Sequence, residues 1–515
     1  MSVQLDKRSQ RNVLIAMITA LIAVVAAMSG LNVAQQQIAI ELGASQGDVL
    51  WIINAYTVAL AALLLPVGAI GDRWGRKTVL LAGLAVFGIA TLGAVLASTV
   101  AMMIAARILA GVGAAMIMPV TLSIITSSFP PEDRAKAIGV WAGCAGAGGI
   151  IGLFVSAFMI DVLTWRWVFA LPLVLVAVSA LMTARFAPNS REASVHPFDT
   201  VGSVLSALAI GSLVLGIHEG PDKGWTAPLT LFGLALGVVA LLAFVAWERR
   251  HAEPLLDISA FSDRGLASGT LTLLIVFGVM FGIFLVLYPF FQAVLGWSAL
   301  KAAAGMLPMA VLMMPMSTIA PRIASRFGVR NTMVTGVAIF GVGLAALATM
   351  VSVEGGYLSV LPGLMTLGLG MGLTMTPATA AITDTLPAEK QGVASAINDT
   401  SRELGGALGV ALLGSMLSSG YRSAIEPALA GLPPELAKPA ADGIGSAYAV
   451  AFQAGGQGPM IIDAAKHAFV HGWVQSMWLG VGLAGVALVY LLLRGPARPT
   501  VEPIDEHVDD AIAVG

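Results

Sequence analysis

The chain has 515 residues, of which 57% are hydrophobic and 11% are Asp, Glu, Lys or Arg, with a formal net charge of −2. A soluble chain needs about 25% charged residues to coat its surface, and a nucleic-acid-binding protein carries a clear basic excess. The composition excludes both classes and predicts an integral membrane protein whose partner is the lipid bilayer. The single cysteine, Cys144, excludes a disulfide framework and a cysteine-based zinc site.

Fourteen stretches of the sequence are apolar enough, over about 20 residues, to cross a bilayer as helices. In chain order they are 12–34, 49–71, 78–98, 101–127, 136–160, 166–186, 199–218, 227–247, 265–294, 302–322, 331–351, 357–381, 391–418 and 471–494. The first follows basic residues as a signal peptide would, but its apolar run is too long, so we interpret it as a retained helix. The runs are continuous rather than alternating, which predicts an all-α polytopic membrane protein and not a β-barrel.

The basic residues concentrate on one side of these spans. If segment 1–11 is cytoplasmic, most of the 27 Lys and Arg residues fall in loops on the same side as that segment. The positive-inside rule then predicts an even number of helices with both termini cytoplasmic. We also expect a long external loop over 419–470 and an acidic cytoplasmic tail over 495–515.

A run of glycines and charges ends the second predicted span. Its members are Gly68, Asp72, Arg73, Gly75, Arg76 and Lys77, in the order G-x-x-x-D-R-x-G-R-K. Glycines permit a tight turn and a close approach of helices, and Asp72 among cations can form an ion pair that fastens helix ends together. A positively charged loop alone would explain the cations but not this ordered spacing.

The sequence carries no motif for binding a nucleotide or a metal ion. Arg76 separates Gly75 from Lys77, so the charged loop is not a P-loop, and neither G-x-G-x-x-G nor H-E-x-x-H is present. We therefore expect neither an ATPase nor another enzyme, and no metal or other cofactor. Nothing in the sequence indicates an obligate protein partner.

The charged loop and several other strings resemble the major facilitator superfamily, in particular its fourteen-helix drug/proton antiporters, a branch of multidrug efflux proteins. The strings are WIINAY with Trp51 and Tyr56, RILAGVG from Arg107, TWRWVF at 164–169 and SRELGG from 401. The resemblance covers nearly the whole chain.

This resemblance implies a domain organisation. Two six-helix bundles, 12–186 and 251–494, would flank a central cavity, and the linker 187–250 would carry two inserted helices, giving a 6 + 2 + 6 order. Alternating access by rocking one bundle against the other follows from that architecture.

Charged side chains are few within the predicted spans, and such residues are usually functional because the bilayer penalises them. Arg107 lies in the fourth helix, and Asp399, Arg402 and Glu403 lie near the middle of the thirteenth. Asp399 and Glu403 share a helix face, and Arg402 is three residues from Asp399 and can reach it. We expect Arg402 to keep one carboxylate ionised while the other accepts a proton that competes with substrate.

The resemblance supports these roles, since similar antiporters carry acids at these helix-13 positions and a helix-4 arginine thought to help proton movement. Two alternatives stay open. The helix-13 charges could form a static salt-bridge network that fixes packing, and Arg107 could extend its side chain to the outer membrane interface.

Two helices depart from the pattern of the branch. In the first helix, Ala27 stands where an acid usually lies, and Gln36 replaces a proline. The polar residues left there, including Asn32, can bind substrate through hydrogen bonds but cannot carry a proton. In the fifth helix, Leu153 replaces the proline of an expected Gly-Pro pair.

The leading interpretation is a secondary active transporter of the bacterial cytoplasmic membrane that exports hydrophobic drug-like compounds in exchange for protons. Its expected residues are Asp399, Glu403, Arg402 and Arg107 for proton coupling, Gly68, Asp72, Arg73, Gly75, Arg76 and Lys77 for the cytoplasmic gate, and Asn32, Gln36, Trp51, Tyr56 and Tyr288 for substrate binding. The alternative, suggested by Ala27 and Leu153, is a facilitator or a lipid or metabolite translocator that is not proton-coupled.

Overall fold

The computed structural model describes residues 6–190 and 198–496, and over these residues the chain is helical without a β-strand. The α-helices are α1 (Lys7–Leu42), α2 (Gln46–Trp74), α3 (Arg76–Val95), α4 (Val100–Ser128), α5 (Pro131–Val162), α6 (Ala170–Phe186), α7 (Thr200–Lys223), α8 (Pro228–Glu248), α9 (Arg264–Pro289), α10 (Ala299–Gly305), α11 (Leu307–Phe327), α12 (Val329–Met350), α13 (Gly356–Thr385), α14 (Gln391–Leu429), α15 (Pro434–Asp442), α16 (Ile444–Gln453) and α17 (Gly458–Arg494).

Fourteen helical stretches in the described ranges are long and apolar enough to cross a membrane, which confirms the predicted all-α fold with fourteen spans. The short helix α10 and helix α11 together form one span, and a 3₁₀ turn at Trp165–Phe169 begins the span that contains α6. Helices α15 and α16 are too short to span. The side of the membrane on which each terminus lies stays a prediction.

Helices α1 to α6 pack mainly against one another, as do α9 to α14 together with α17. We refer to these sets as the N-terminal group and the C-terminal group. The two groups meet where α2 and α4 contact α14 and where α5 contacts α10, α11 and α13. Helices α7 and α8, the inserted pair, pack on each other, and α7 also lies against α2 and α14.

Local capping explains where the helices around the site begin. Ser45 and Asp48 form a capping box at the start of α2, with Asp48 N–H donating to Ser45 Oγ over 3.2 Å. Gly75 separates α2 from α3 at a φ of 105°, which favours glycine because a side chain is strained there. The charged loop after the second span is therefore a single-residue break between two helices.

Residues 419–470 differ from the long loop predicted for them, because most of this segment is helical. Helix α14 continues to Leu429, α15 and α16 follow, and α17 begins at Gly458. The extension of α14 buries Tyr421, Ile425 and Leu429, which share one face at four-residue spacing. Its other face is polar, so the segment is too hydrophilic to be recognised as part of a span.

Candidate transport and coupling site

Three charged residues of α14 are buried where the two groups meet. Asp399 is fully buried, and Arg402 and Glu403 are 6% and 7% exposed. Arg402 Nη1 donates to Asp399 Oδ1 over 3.3 Å, and Asn398 Nδ2 donates to the same oxygen over 3.1 Å. Thr379 Oγ1 on α13 donates to Asn398 Oδ1 over 2.9 Å, so a chain of hydrogen bonds orients the carboxylate. Asp399 and Arg402 are thus in contact, as their spacing predicts.

Several polar atoms around this cluster have hydrogen-bonding capacity left over. Asp399 Oδ2, Arg402 Nε, Thr400 Oγ1 and the Tyr56 hydroxyl are buried without a hydrogen-bond partner in the described part of the chain. An unsatisfied buried polar group costs about 1–3 kcal/mol, more if it is charged. Such a cluster is suited to binding a proton or a polar part of a ligand.

Arg107 of α4 turns inward rather than to the membrane interface. It is 2% exposed, its Nε donates to the backbone oxygen of Ile52 over 3.2 Å, and its guanidinium carbon lies 4.3 Å from the centre of the Tyr56 ring. Tyr56 lies within electrostatic range of both Arg107 and Glu403. The alternative in which Arg107 reaches the outer interface does not fit this geometry.

Two aromatic rings enclose the Arg402 guanidinium. Its central carbon lies 4.4 Å from the ring centre of Phe277 on α9 and 5.6 Å from that of Trp141 on α5. Trp141 Nε1 donates to Thr121 Oγ1 on α4 over 3.2 Å, which fixes the indole. Neither ring was predicted from the sequence, in which the only signal is a lone Trp within the glycine- and alanine-rich stretch 139–149.

Asp72 connects the two groups at the N-terminus of α14, about two turns before the buried charges. Its carboxylate accepts hydrogen bonds from the backbone N–H of Gly392, at 2.8 and 2.7 Å, and of Val393, at 3.2 Å. It also forms an ion pair with Arg76 at 2.6 Å, and Arg76 Nη2 donates to the backbone oxygen of Ala388 over 3.1 Å. Asp72 therefore caps the N-terminus of α14 from the opposite group. We name these interactions the gate contact.

The remaining motif residues have separate structural roles. A Cβ on Gly68 would lie 2.5 Å from the backbone oxygen of Gly392, so glycine permits the close approach of α2 and α14. Gly75 forms the break before α3, and Arg73 lies in the last turn of α2. Lys77 Nζ donates to a backbone oxygen of α6 over 2.7 Å, a contact within the N-terminal group.

A second junction between the groups involves small and hydroxyl residues. Ser317 Oγ on α11 donates to the backbone oxygen of Gly139 on α5 over 2.8 Å. Thr376 Oγ1 on α13 donates to the backbone oxygen of Ser317 over 2.9 Å. A Cβ on Gly139 would lie 2.6 Å from that same oxygen, so the glycine-rich face of α5 allows the helices to touch. Ser317 and Thr376 were not predicted from the sequence, because isolated hydroxyl residues are common in membrane helices.

The residues predicted to bind substrate do not form one cluster. Tyr56 lies beside the buried charges, and Trp51 is half-buried on the same helix, five residues earlier. Tyr288 is near the end of α9, and its hydroxyl has no hydrogen-bond partner among the described residues. The side chains of Asn32 and Gln36 lie outside what the structure describes.

Ala27 and Leu153, which depart from the pattern of the antiporter branch, are each next in sequence to a residue at the contact of α1 with α5. Ala27 is 3% exposed, and a Cβ on Gly152 would lie 2.8 Å from Ala26 Cα. Helix α5 is continuous over Pro131–Val162 and passes through Leu153. A buried alanine thus stands where an acid is usual, and α5 carries no proline at position 153. In the described ranges, His, Cys, Asp and Glu form no group that could hold a metal ion.

Comparison with known proteins places this geometry in context. A family model described as the Major Facilitator Superfamily matches residues 15–410. The multidrug efflux pump LfrA of Mycolicibacterium smegmatis is 32% identical over 452 residues, which cover 86% of this chain and 88% of LfrA. The methyl viologen resistance protein SmvA of Salmonella typhimurium is 31% identical over 470 residues, covering 90% of this chain and 92% of SmvA.

The fold also matches solved transporter structures. The proton:xylose symporter XylE superposes with a TM-score of 0.62 at 12% identity, over 96% of this chain and 97% of that chain. The human organic anion transporter MFSD10 superposes with a TM-score of 0.59 at 13% identity, over 94% of this chain and 99% of that chain. The fourteen helical stretches of the described residues that are long and apolar enough to span a membrane, together with the bacterial relatives, identify a multi-pass protein of the bacterial cytoplasmic membrane. With the family model matching most of its length, the chain belongs to the Major Facilitator Superfamily.

Proposed function

We propose that this protein exports small lipophilic, drug-like molecules from the bacterial cytoplasm in exchange for protons. Relatives that align over most of the chain are named for multidrug efflux and for methyl viologen resistance. A third, 32% identical over 382 residues, is the tetracenomycin C resistance and export protein of Streptomyces glaucescens. These names support export of foreign or toxic compounds as the activity.

The observation that carries the coupling proposal is the buried triplet Asp399, Arg402 and Glu403 on α14. Asp399 accepts hydrogen bonds from Arg402 and Asn398, so its carboxylate has a cationic partner. Glu403 is 7% exposed, and it lies within electrostatic range of Arg402 and Tyr56. We assign the exchangeable proton to Glu403 and the permanent charge to Asp399, with Arg107 held near Glu403 through Tyr56.

Alternating access in this proposal uses the N-terminal and C-terminal groups as the moving bodies, with 12–186 and 251–494 as domains and 187–250 as their linker. The gate contact of Asp72 and Arg76 closes the side predicted to be cytoplasmic. Opening that side requires Asp72 to leave the N-terminus of α14. Cargo then enters between the groups, and re-forming the contact closes the cytoplasmic side before release outward.

The test uses everted membrane vesicles in which the proton gradient drives accumulation of a fluorescent cationic drug. We expect Asp399→Asn and Glu403→Gln each to abolish proton-driven accumulation and cargo-induced proton movement. Asp463→Asn, which changes a largely exposed carboxylate on α17, is the matched control and should behave as wild type. Unchanged coupling in both site variants would end the proposal. Efflux that survives full collapse of the gradient by a protonophore would favour the uncoupled translocator.

A further inference from the structure

The guanidinium of Arg402 occupies a site built for a flat, delocalised cation. We define the aromatic box as the rings of Trp141 and Phe277, which lie 5.6 and 4.4 Å from the guanidinium carbon. Both rings are about 1% exposed. Such rings attract cations through their negative faces, most strongly when water is excluded.

The box depends on contact between the two groups. Trp141 belongs to α5 of the N-terminal group, whereas Phe277 and Arg402 belong to α9 and α14 of the C-terminal group. These helices start on the same side of the membrane and carry the three residues to a similar depth, about 15–20 Å from their first residues at 1.5 Å per residue. A movement of the groups therefore separates the rings, which lets a ligand enter and leave.

The carboxylate of Asp399 lies beside the aromatic box and can accept further hydrogen bonds. Asp399 Oδ1 accepts from Arg402 and Asn398, while Asp399 Oδ2 is buried without a hydrogen-bond partner in the described ranges. Arg402 has a second acid within electrostatic range, Glu403. Arg402 can therefore leave the box without becoming an unpaired charge.

We propose that the aromatic box is the cargo site for monovalent, delocalised organic cations, and that Arg402 is the built-in cation that fills it when cargo is absent. This inference rests on the exporter function proposed above and names its substrate class. When cargo binds against Asp399, Arg402 turns to Glu403. That acid releases its proton to the cytoplasmic side as it becomes the partner of Arg402.

The exchange conserves charge in the buried site. Without cargo, the site holds one carboxylate, one guanidinium and one neutral carboxylic acid, a net charge of zero. With cargo, it holds two carboxylates, the guanidinium and the cargo cation, again zero. One positive charge enters as one proton leaves, so the exchange does not change the net charge of the membrane interior, and the buried Arg107 guanidinium contributes equally to both states. Neutral cargo cannot displace Arg402 in this way.

The experiment measures binding of tetraphenylphosphonium to the purified full-length protein, with Nile red as a neutral probe. Phe277→Leu and Trp141→Leu remove an aromatic face, and each is expected to weaken tetraphenylphosphonium binding about tenfold or more. Trp141→Phe keeps a ring and should stay within about threefold of wild type. Nile red binding should stay within the same margin of wild type in all variants, which also verifies that they are folded.

Phe281→Leu is the matched control, because Phe281 lies one turn beyond Phe277 on α9 with ring centres 6.4 Å apart and packs over Gly406. Cation binding that is unchanged in both Leu variants of the box, or absent from the wild type, would overturn the inference. If the box variants lose cation binding but wild-type vesicles show no proton-driven export, the aromatic box is supported as a cation site and the proposed exporter function is wrong. If export is proton-driven in wild type and box variants alike, the exporter function stands and the box fails.

Discussion

Replacing Asp72 by Asn should shift the protein toward the form in which the gate contact is broken. The carboxylate accepts from two backbone N–H groups of α14 and from Arg76, and its side chain is 3% exposed. An amide presents only one acceptor oxygen, so its NH₂ group must face either the guanidinium or the N-terminus of α14. Either choice places donors against donors in a buried site.

The size of the shift follows from the interactions lost. Removing one partner of a buried ion pair costs about 3–5 kcal/mol. Because each 1.4 kcal/mol changes an equilibrium constant tenfold, the closed form should become about 10²-fold to several thousand-fold less favoured relative to the open form. The same variant withdraws a negative charge from the N-terminus of α14, which acts in the same direction.

Electron paramagnetic resonance distances can measure this shift. Spin labels at Arg185 on α6 and Ser325 on α11 are exposed and lie in different groups, and Cys144, the single cysteine, can be replaced to make labelling specific. We expect Asp72→Asn to lengthen the distance distribution. Lys77→Ala is the matched control, since that side chain bonds within the N-terminal group. Identical distributions for Asp72→Asn and wild type would refute the reasoning.

Two further predictions concern stability. Gly409→Ala should destabilise the protein by about 1–3 kcal/mol or more, because a Cβ there would overlap the backbone oxygen of Gly278 on α9. Gly485→Ala is the matched control and should be neutral, because a Cβ at that position meets nothing within 4 Å. Thermal unfolding in detergent measures the difference in stability between the two variants. Glu41 accepts hydrogen bonds from the side chains of Arg166 and Trp165. These bonds, of which the one from Arg166 has the larger effect, hold the pKa of the Glu41 carboxyl below the ordinary 4.5. Since a lowered folded-state pKa stabilises only above the unfolded-state value, Glu41→Gln should be less stable than wild type at pH 7, and the difference should vanish as the pH falls well below 4.5. A difference that persists in acid would contradict this assignment.

The parts of the site that the sequence predicts are those that depend on local spacing. Asp399 and Arg402 are three residues apart on one helix, and Asp72 and Arg76 are four apart, so helical geometry brings each pair together. The fourteen spans follow from hydropathy for the same reason, since each is a property of about 20 consecutive residues. The extension of α14 to Leu429 was not predicted, because only one face of that segment is apolar.

Partners distant in the chain could not be predicted in this way. Asp72 accepts a hydrogen bond from the backbone N–H of Gly392, which is 320 positions away in the chain. No local sequence pattern indicates that a distant backbone N–H will be the partner of a carboxylate. Trp141 and Phe277 likewise meet Arg402 only through the packing of three helices. A buried arginine is visible in a sequence, but the rings that satisfy it are not, because aromatic residues occur throughout membrane helices.

Helix α14 gives the gate contact and the buried charges a common mechanical basis. Gly392, held by Asp72, lies only seven residues before Asp399, about 10 Å along the helix. Gly405 and Gly409 allow α14 to pack closely against α9. The buried charges of α14 therefore stay together with Phe277 and Thr379 within the C-terminal group. We expect that breaking the gate contact separates the charges from Tyr56 and Trp141, which belong to the N-terminal group. In the proposed transport cycle, the movement that admits cargo also changes the surroundings of Glu403, which is what coupling between cargo and proton requires.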